Sequence, residues 1–317
     1  MRVARSDGIC GRSGAIAKLL VGSLASIFLL VATAEDASAQ TLGRVRDTGV
    51  LRLGHRQDAP PFSYQDGSAG VTGYSIVLCQ KIVDAVKEEL QLSELRTEFV
   101  PVGSEEDGLD AVRQGRIDLH CGAATVTLSR RESVSFSIPI FAGGVSALMR
   151  KDAPARMREI LAGRPEPDRP RWRASLGLIF QQRVFAVHAG STAEEWLAQG
   201  LQRFNIIADV IPVEDYGAGV DMVVERRADV LFGDRTVLLE SAARSPSAGD
   251  LTVIDRRFTY EPLALALQRG DEDFRLLIDR TLSRLYGSGE FAEIYASSFG
   301  EPDDAALSFF RMTALPE

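Results

Sequence analysis

Three stretches of the sequence carry side chains that could hold a small charged molecule. Arg130 ends the segment Thr125–Arg130, and its planar guanidinium can bind both oxygens of a carboxylate. Gly190-Ser191-Thr192 precedes a predicted helix, and the exposed amides at a helix N-terminus attract anions. Asp234 follows the apolar strand Val230–Gly233, where a carboxylate can accept from a cation. Each stretch also has a purely structural interpretation, as a surface arginine, a helix cap and a turn aspartate.

Strands and helices that alternate along the chain must position these side chains. The first series predicts strands at Val50–Gly54, Arg96–Val102 and Ile117–Cys121, and helices at Tyr74–Leu90 and Leu109–Gln114. The pattern then restarts, with strands at Arg183–His188, Asp209–Pro212 and Asp229–Phe232, and helices at Thr192–Leu201 and Gly219–Arg226. A later strand and two helices are predicted at Leu263–Leu267, Phe274–Tyr286 and Phe291–Phe299. The alternation predicts an α/β protein with two doubly wound lobes and a cleft between them.

Two segments lie outside this alternation. Lys151–Ser175 contains four prolines and six arginines, and prolines at that density disfavour a regular helix. We expect an exposed, solvated insertion or loop there, with a docking role for its arginines as the alternative. The last residues, 301–317, are expected to form a loosely attached tail.

The first 39 residues have the form of an export signal. Four basic residues precede the apolar run Leu19–Ala32, which is shorter than the about 20 residues that a membrane span needs. Ala37-Ser38-Ala39 has the small-residue pattern that signal peptidase reads. We therefore expect a cleaved signal peptide at residues 1–39 and a periplasmic mature chain from Gln40, with an uncleaved anchor as the alternative.

The charge and the cysteines limit the possible partners. Cleavage removes four of 36 basic and three of 44 acidic side chains, which leaves a net charge of −9 and argues against nucleic acid as a partner. Cys79 and Cys121 remain, and in an oxidising compartment they could form a disulfide; two buried free thiols are the alternative. Neither cysteine has the spacing of a metal site, and we expect no metal and no cofactor.

Eight short motifs, in order along the chain, resemble family 3 extracellular solute-binding proteins, the polar amino-acid receptors of ATP-driven importers. The resemblance extends over nearly the whole mature chain to about Gly300. The motifs are Gly49–Gly54, Pro61–Tyr64, Gly73–Ser75, Gly115–Asp118, Thr125–Arg130, Phe136–Pro139, Gly190–Thr192 and Gly287–Tyr295.

The resemblance implies a two-lobed, type II periplasmic-binding-protein fold. Lobe 1 is expected at residues 40–142 and 260–300, and lobe 2 at residues 146–256. Two chain crossings, near Phe141–Val145 and Arg257–Glu261, would let the lobes rotate about a hinge and trap a ligand. The implied ligand is an amino acid, the implied partner is the permease of an inner-membrane ABC importer, and the receptor is expected to be a monomer.

The resemblance also implies roles for individual residues. An amino acid presents a carboxylate and an ammonium, and burying either charge without a partner costs roughly several kcal/mol. Arg130 and Thr125 are expected to bind the carboxylate from lobe 1, and Ser191 and Thr192 to bind it from lobe 2. Asp234 is expected to bind the ammonium. The remaining predicted ligand-binding residues are Arg56 and Tyr216, at the ligand side chain, and Phe62, as a wall of the pocket, for which Tyr64 is the alternative.

The ligand side chain is open to alternatives. His55-Arg56 resembles the glutamate and aspartate receptors, in which that arginine meets the distal carboxylate, and so favours an acidic ligand. Three departures argue for a neutral or derivatised amino acid instead. Ser104–Asp107 replaces a loop that carries another arginine, Ala123 replaces a serine, and Tyr216 replaces a histidine.

An enzyme is the alternative from another class. A few enzymes share this fold, among them dehydratases of cyclohexadienyl acids, and catalysis needs an acid or base of suitable pKa. Glu105, Glu106 or Asp215 could serve, but none lies in a catalytic motif. The histidines lack a Ser or Cys partner at any telling spacing, and His120 and His188 are expected to be structural. We therefore predict a receptor without catalytic residues.

Overall fold

The structure, a computed structural model, describes residues 41–67, 70–164 and 178–317. The first elements are α1 (Thr41–Thr48), β1 (Val50–Arg56), β2 (Asp58–Ala59), β3 (Ser63–Asp66), β4 (Gly70–Thr72), α2 (Tyr74–Glu89), β5 (Arg96–Val102), α3 (Glu105–Arg113), β6 (Leu119–Thr125), α4 (Leu128–Arg131), β7 (Val134–Phe136) and β8 (Phe141–Gly143). Then follow β9 (Val145–Arg150), α5 (Ala155–Leu161), β10 (Val184–His188), α6 (Thr192–Phe204), β11 (Asp209–Val213), α7 (Tyr216–Val224), β12 (Val230–Asp234), α8 (Arg235–Arg244) and β13 (Leu251–Val253). The last elements are β14 (Glu261–Gln268), α9 (Glu272–Tyr286), α10 (Gly289–Phe299) and α11 (Asp304–Thr313).

Two large sheets repeat one topology. The first has the order β5-β1-β6-β14-β7, with β8 also paired to β14, and the second has the order β11-β10-β12-β9-β13. In each sheet three parallel strands are followed by an antiparallel strand, β14 in the first and β9 in the second. Helices pack on both sheets, and β2, β3 and β4 form a small antiparallel sheet. The predicted α/β fold with two doubly wound sheets is confirmed.

The chain passes between the two sheets twice. The first passage is at Gly144, between β8 and β9, and the second lies between β13 and β14. The passages touch, because the backbone N–H of Val145 donates to Thr259 Oγ1 at 2.9 Å. A Cβ atom at Gly144 would lie 2.1 Å from the carbonyl oxygen of Thr259, so only glycine allows the two segments this approach.

Helix α2 shows how the sequence forms the core of the first sheet. Its apolar residues recur at helical spacing, and the side chains of Ile76, Cys79, Val83 and Val86 are buried. Cys79 forms a disulfide with Cys121 of β6, with Cα atoms 6.3 Å apart. The sequence left a disulfide and two free thiols open, and the structure contains the disulfide.

The C-terminal segment is not a loose tail, so that expectation is wrong. Residues 304–313 form α11, and the Phe310 side chain is only 3% exposed. Its ring packs against Tyr286 and Phe291, with centroids 4.9 and 4.4 Å apart. The apolar residues of the segment cover an aromatic surface left by α9 and α10.

The expected loop at 151–175 is wrong for its first part. Residues 155–161 form α5, and Met157 and Leu161 are buried in the core of the second sheet. The proline-rich remainder, 165–175, lies outside the described residues, as do the expected signal peptide and its cleavage site. Within the described parts of the chain, every helix falls short of the length and apolar character of a membrane span.

Candidate ligand-binding site

A small cavity of about 50 Å³ lies where residues from both sheets meet. This volume is far below the about 300 to 1,000 Å³ of a typical ligand pocket, so side chains fill most of the site. The lining residues are Arg56, Ala59, Phe62, Glu105, Gly122, Ala123, Thr125, Val145, Ser191, Thr192, Ala193, Tyr216, Asp234, Val237, Glu261 and Leu263. Seven of the eight predicted site residues are in this set, and Arg130 is bonded to one of its members.

Arg130 and Thr125 hold a carboxylate, which belongs to Glu105. One oxygen of Glu105 accepts from Arg130 Nη1 and from the backbone N–H of Thr125, both at 2.5 Å. The same Arg130 nitrogen donates to the carbonyl oxygen of Thr125 at 3.0 Å. Arg130 Nη2 donates to the carbonyl oxygen of Gly190 at 3.4 Å. Arg130 therefore connects α4 of the first sheet with the loop that precedes α6 of the second.

Glu261 occupies the space between the two threonines. One of its oxygens accepts from Thr192 Oγ1 at 2.8 Å and from Thr125 Oγ1 at 3.3 Å. Its other oxygen accepts from Thr259 Oγ1 at 2.6 Å. Ser191 is the N-cap of α6, accepting from the backbone N–H of Glu194 at 3.4 Å. Glu261 thus ties the start of α6 to the end of β6.

Asp234 ends β12 and caps α8. Its Oδ1 accepts from the backbone N–H groups of Thr236 and Val237, at 2.8 and 3.3 Å. Its Oδ2 accepts from the backbone N–H of Gly144 at 2.9 Å. Burial raises the pKa of Asp234, although these amides and the charge of Arg257 act in the opposite direction. The half-buried carboxylate lines the cavity, and among residues 41–67, 70–164 and 178–317 no side-chain cation is bonded to it.

Arg56 is already paired. Its Nε and Nη2 donate to Asp58 Oδ1 at 3.0 and 2.6 Å, and Nη2 also donates to His188 Nε2 at 2.9 Å. His188 stacks on Tyr216, with ring centroids 4.8 Å apart. Burial raises the pKa of Asp58, but the contact with His188, whose Nε2 lies 3.6 Å from Asp58 Oδ2, and the charge of Arg56 outweigh it and lower the pKa. The group joins β1 and β2 to β10 and α7.

Phe62 belongs to an aromatic cluster behind the cavity. Its ring centroid lies 5.0 Å from that of Phe141 and 5.6 Å from that of Phe299. Tyr216 is buried, and burial raises the pKa of its hydroxyl well above the ordinary value. Both residues line the cavity with apolar surface.

Four charged or polar residues that line the cavity or pair with its lining were not predicted to bind ligand: Glu105, Glu261, His188 and Asp58. The sequence suggests Glu105 as a possible catalytic acid and as part of the acidic run that replaces an arginine-bearing loop. It suggests Glu261 as the end of a chain crossing and His188 as a structural residue. Asp58 was not considered. The usable signal was the acidic run Glu105–Asp107, which marks the start of α3 four residues before the predicted Leu109.

These contacts are suited to binding a small polar molecule. Three acidic side chains and one arginine line the cavity, and all four are already engaged in hydrogen bonds. No group of three or more His, Cys, Asp or Glu side chains in residues 41–67, 70–164 and 178–317 could hold a metal ion.

The family model of the bacterial extracellular solute-binding proteins, family 3, matches residues 51–301. The chain belongs to this family. An L-glutamate/L-aspartate-binding protein of Pseudomonas aeruginosa is 28% identical over 285 residues, which cover 90% of this chain and 88% of that protein. A cyclohexadienyl dehydratase of the same species is 24% identical over 273 residues, which cover 85% of this chain and 90% of that protein.

A solved structure supports the same fold for this family 3 member. The cysteine-binding protein from Campylobacter jejuni superimposes with a TM-score of 0.66 and 20% sequence identity. The match covers 85% of this chain and 98% of that protein. Of the two relatives from Pseudomonas aeruginosa, the one with the higher identity, 28%, is a binding protein, and the one with the lower identity, 24%, is an enzyme.

Proposed function

We propose that this protein is a periplasmic receptor that closes around an amino acid and delivers it to the permease of an ABC importer. The observation that carries the proposal is the carboxylate of Glu105, bound by Arg130 and by the amide of Thr125. The site therefore contains donors at the right spacing for a carboxylate oxygen. An α-carboxylate of a ligand is the chemical equivalent of the group that they hold.

The facing side of the site supplies the remaining contacts for an amino acid. Ser191 and Thr192 start α6, where helix amides favour an anion, so they bind the α-carboxylate from the second sheet. Asp234 binds the ammonium, because a carboxylate has about four acceptor positions and three amides use only three. Phe62 and Tyr216 provide the walls of the pocket.

An acidic amino acid is the first candidate ligand. The relative in Pseudomonas aeruginosa is named for L-glutamate and L-aspartate, and Arg56 lines the cavity as the cation that a distal carboxylate needs. Within this proposal Arg56 exchanges Asp58 for the carboxylate of the ligand.

A neutral polar amino acid is the second candidate, and the pairing of Arg56 favours it. Asp58 already accepts two hydrogen bonds from that guanidinium, so a distal carboxylate has to compete for it. L-Glutamate and L-glutamine have nearly the same shape and differ in this charge. A thermal-shift series over the amino acids, followed by titration calorimetry with this pair, separates the two candidates by mass action.

The receptor proposal also covers export, assembly and the absence of catalysis. Export follows from the basic and apolar leader at residues 1–39, with cleavage before Gln40, and the receptor acts as a monomer without a cofactor. Mass spectrometry of the bound amino acid tests the absence of catalysis. A receptor returns it unchanged, whereas an enzyme related to the dehydratase returns a product.

Replacing Arg130 tests the central contact. Arg130→Ala leaves a ligand carboxylate without its cation, and we expect amino-acid affinity to fall by about 30-fold or more in titration calorimetry. Arg131→Ala is the matched control, because Arg131 is the next residue of α4 and is exposed. Its affinity is expected to stay within about twofold of wild type. Equal affinities of Arg130→Ala and wild type would remove Arg130 from the site.

A further inference from the structure

Glu105 places its own carboxylate on the donors assigned to the ligand. We propose that Glu105 is a built-in competitor for the carboxylate subsite, which a ligand has to displace and which thereby sets the affinity of the receptor. This inference rests on the proposed function, because it concerns the same subsite. It adds a residue that determines affinity and distinguishes ligands with an α-carboxylate from ligands without one.

The hydrogen bonds make the two occupants mutually exclusive. The backbone amide of Thr125 has a single hydrogen, which Glu105 accepts at 2.5 Å. Arg130 Nη1 divides its two hydrogens between Glu105 and the carbonyl oxygen of Thr125. A ligand carboxylate can therefore reach both donors only after Glu105 has left. Two carboxylates side by side would also repel each other in a site where the side chains of Glu105 and Arg130 are only 14% and 11% exposed.

Glu105 can leave without unfolding its helix. It is the first residue of α3, but the helix is capped by Ser104 and Asp107, whose side chains accept from each other's backbone N–H groups. The Glu105 side chain takes no part in that capping box. Rotation of its flexible side chain is therefore enough to free Arg130, and the backbone of α3 can stay in place.

Glu106 provides a matched control. It is the next residue of α3, its side chain is 48% exposed, and its ion-pair distance is 4.0 Å, to Arg113. Glu105→Gln and Glu106→Gln remove the same charge from adjacent positions. Only the first removes a carboxylate from the subsite, so a general change in surface charge affects both variants alike.

Titration calorimetry of the mature protein with L-glutamate tests the proposal, together with L-glutamine and with isoglutamine, the analogue whose α-carboxylate is an amide. We expect Glu105→Gln to bind L-glutamate and L-glutamine about ten- to hundredfold more tightly than wild type, because a competing charged hydrogen bond is lost. The affinity of Glu105→Gln for isoglutamine should not exceed that of wild type. The affinities of Glu106→Gln should match those of wild type within about twofold. Glu105→Ala, which leaves no acceptor, should reproduce the gain.

The other outcomes separate this inference from the proposed function. Amino-acid binding by wild type, with equal or weaker binding by both Glu105 variants, refutes the competitor and leaves the receptor standing. Loss of binding in Glu105→Gln would instead make Glu105 a ligand contact, which also overturns the proposal. If neither wild type nor Glu105→Gln binds any amino acid, the proposed function and this inference fail together.

Discussion

His120 should make the stability of the protein sensitive to mild acid. Its side chain is fully buried, and neither ring nitrogen has a hydrogen-bond partner in the part of the chain that the structure describes. Burial, followed by the charges of Arg56, Arg130 and His55, lowers the pKa of His120 from 6.5 to about 3. The ring is held between Gly108 and Gly122, where a Cβ atom would approach its Cε1 to 2.4 Å, so it has no room to turn towards solvent.

The sign of the effect follows from proton binding. Between pH 3 and 6.5 the unfolded chain binds a proton at His120 that the folded protein excludes, so stability is complete above pH 6.5 and falls as the pH decreases. One pKa unit corresponds to about 1.4 kcal/mol, so the loss should reach about 2 kcal/mol at pH 5.

Comparison with His120→Leu isolates this contribution. The measured quantity is the free energy of unfolding of the variant minus that of wild type. We expect this difference to become more positive by about 2 kcal/mol when the pH is lowered from 8 to 5. Urea unfolding followed by circular dichroism measures it, because all other titrating groups cancel in the difference. Between about pH 8 and 9, where both forms are neutral, the difference should stay constant. A difference that stays constant down to pH 5 would refute the reasoning.

Two further predictions concern stability. Replacing Cys79 and Cys121 by alanine opens a loop with a sequence separation of 42 residues. In the chain-entropy model, closing a loop of that length stabilises the folded protein by about 4 kcal/mol. Urea unfolding of the variant should show a loss of that size in the free energy of unfolding. An unchanged midpoint would contradict the model. Phe310→Ala should cost about 3 to 5 kcal/mol in the same assay, whereas Met312→Ala, at 80% exposure, should cost less than about 0.5. Similar losses for both would mean that α11 is not anchored through Phe310.

The sequence predicted the elements well where one periodicity was unbroken. The strand Arg96–Val102 was predicted with the bounds that the structure has, and α2 ends one residue before the predicted Leu90. Prediction was poorer where polar residues form the first turn, because a capping sequence such as that of α3 has no apolar periodicity. The tail was missed because its apolar residues acquire a partner surface only after α9 and α10 have packed.

The composition of the site could be predicted, but not its pairing. Sequence motifs identified side chains at strand ends and helix starts, and parallel strands bring such ends to one edge. Which hydrogen-bond donor meets which acceptor depends on contacts between residues far apart in sequence. Arg56 and His188 are 132 residues apart and Thr192 and Glu261 are 69 apart. Residue type at one position carries no information about such a partner.

Asp234 connects the proposed ligand contact with the first passage of the chain between the two sheets. One oxygen accepts from Gly144, the residue at which the chain first passes between the sheets, and the other caps α8. Burial raises the pKa of Asp234 and so disfavours its charged form. A cation at the remaining acceptor position favours the charged form again. The charged carboxylate then accepts stronger hydrogen bonds from these amides. Binding of an ammonium would therefore stabilise the passage at Gly144 in the arrangement seen here. The proposed ammonium contact and the arrangement of this passage therefore depend on the same side chain.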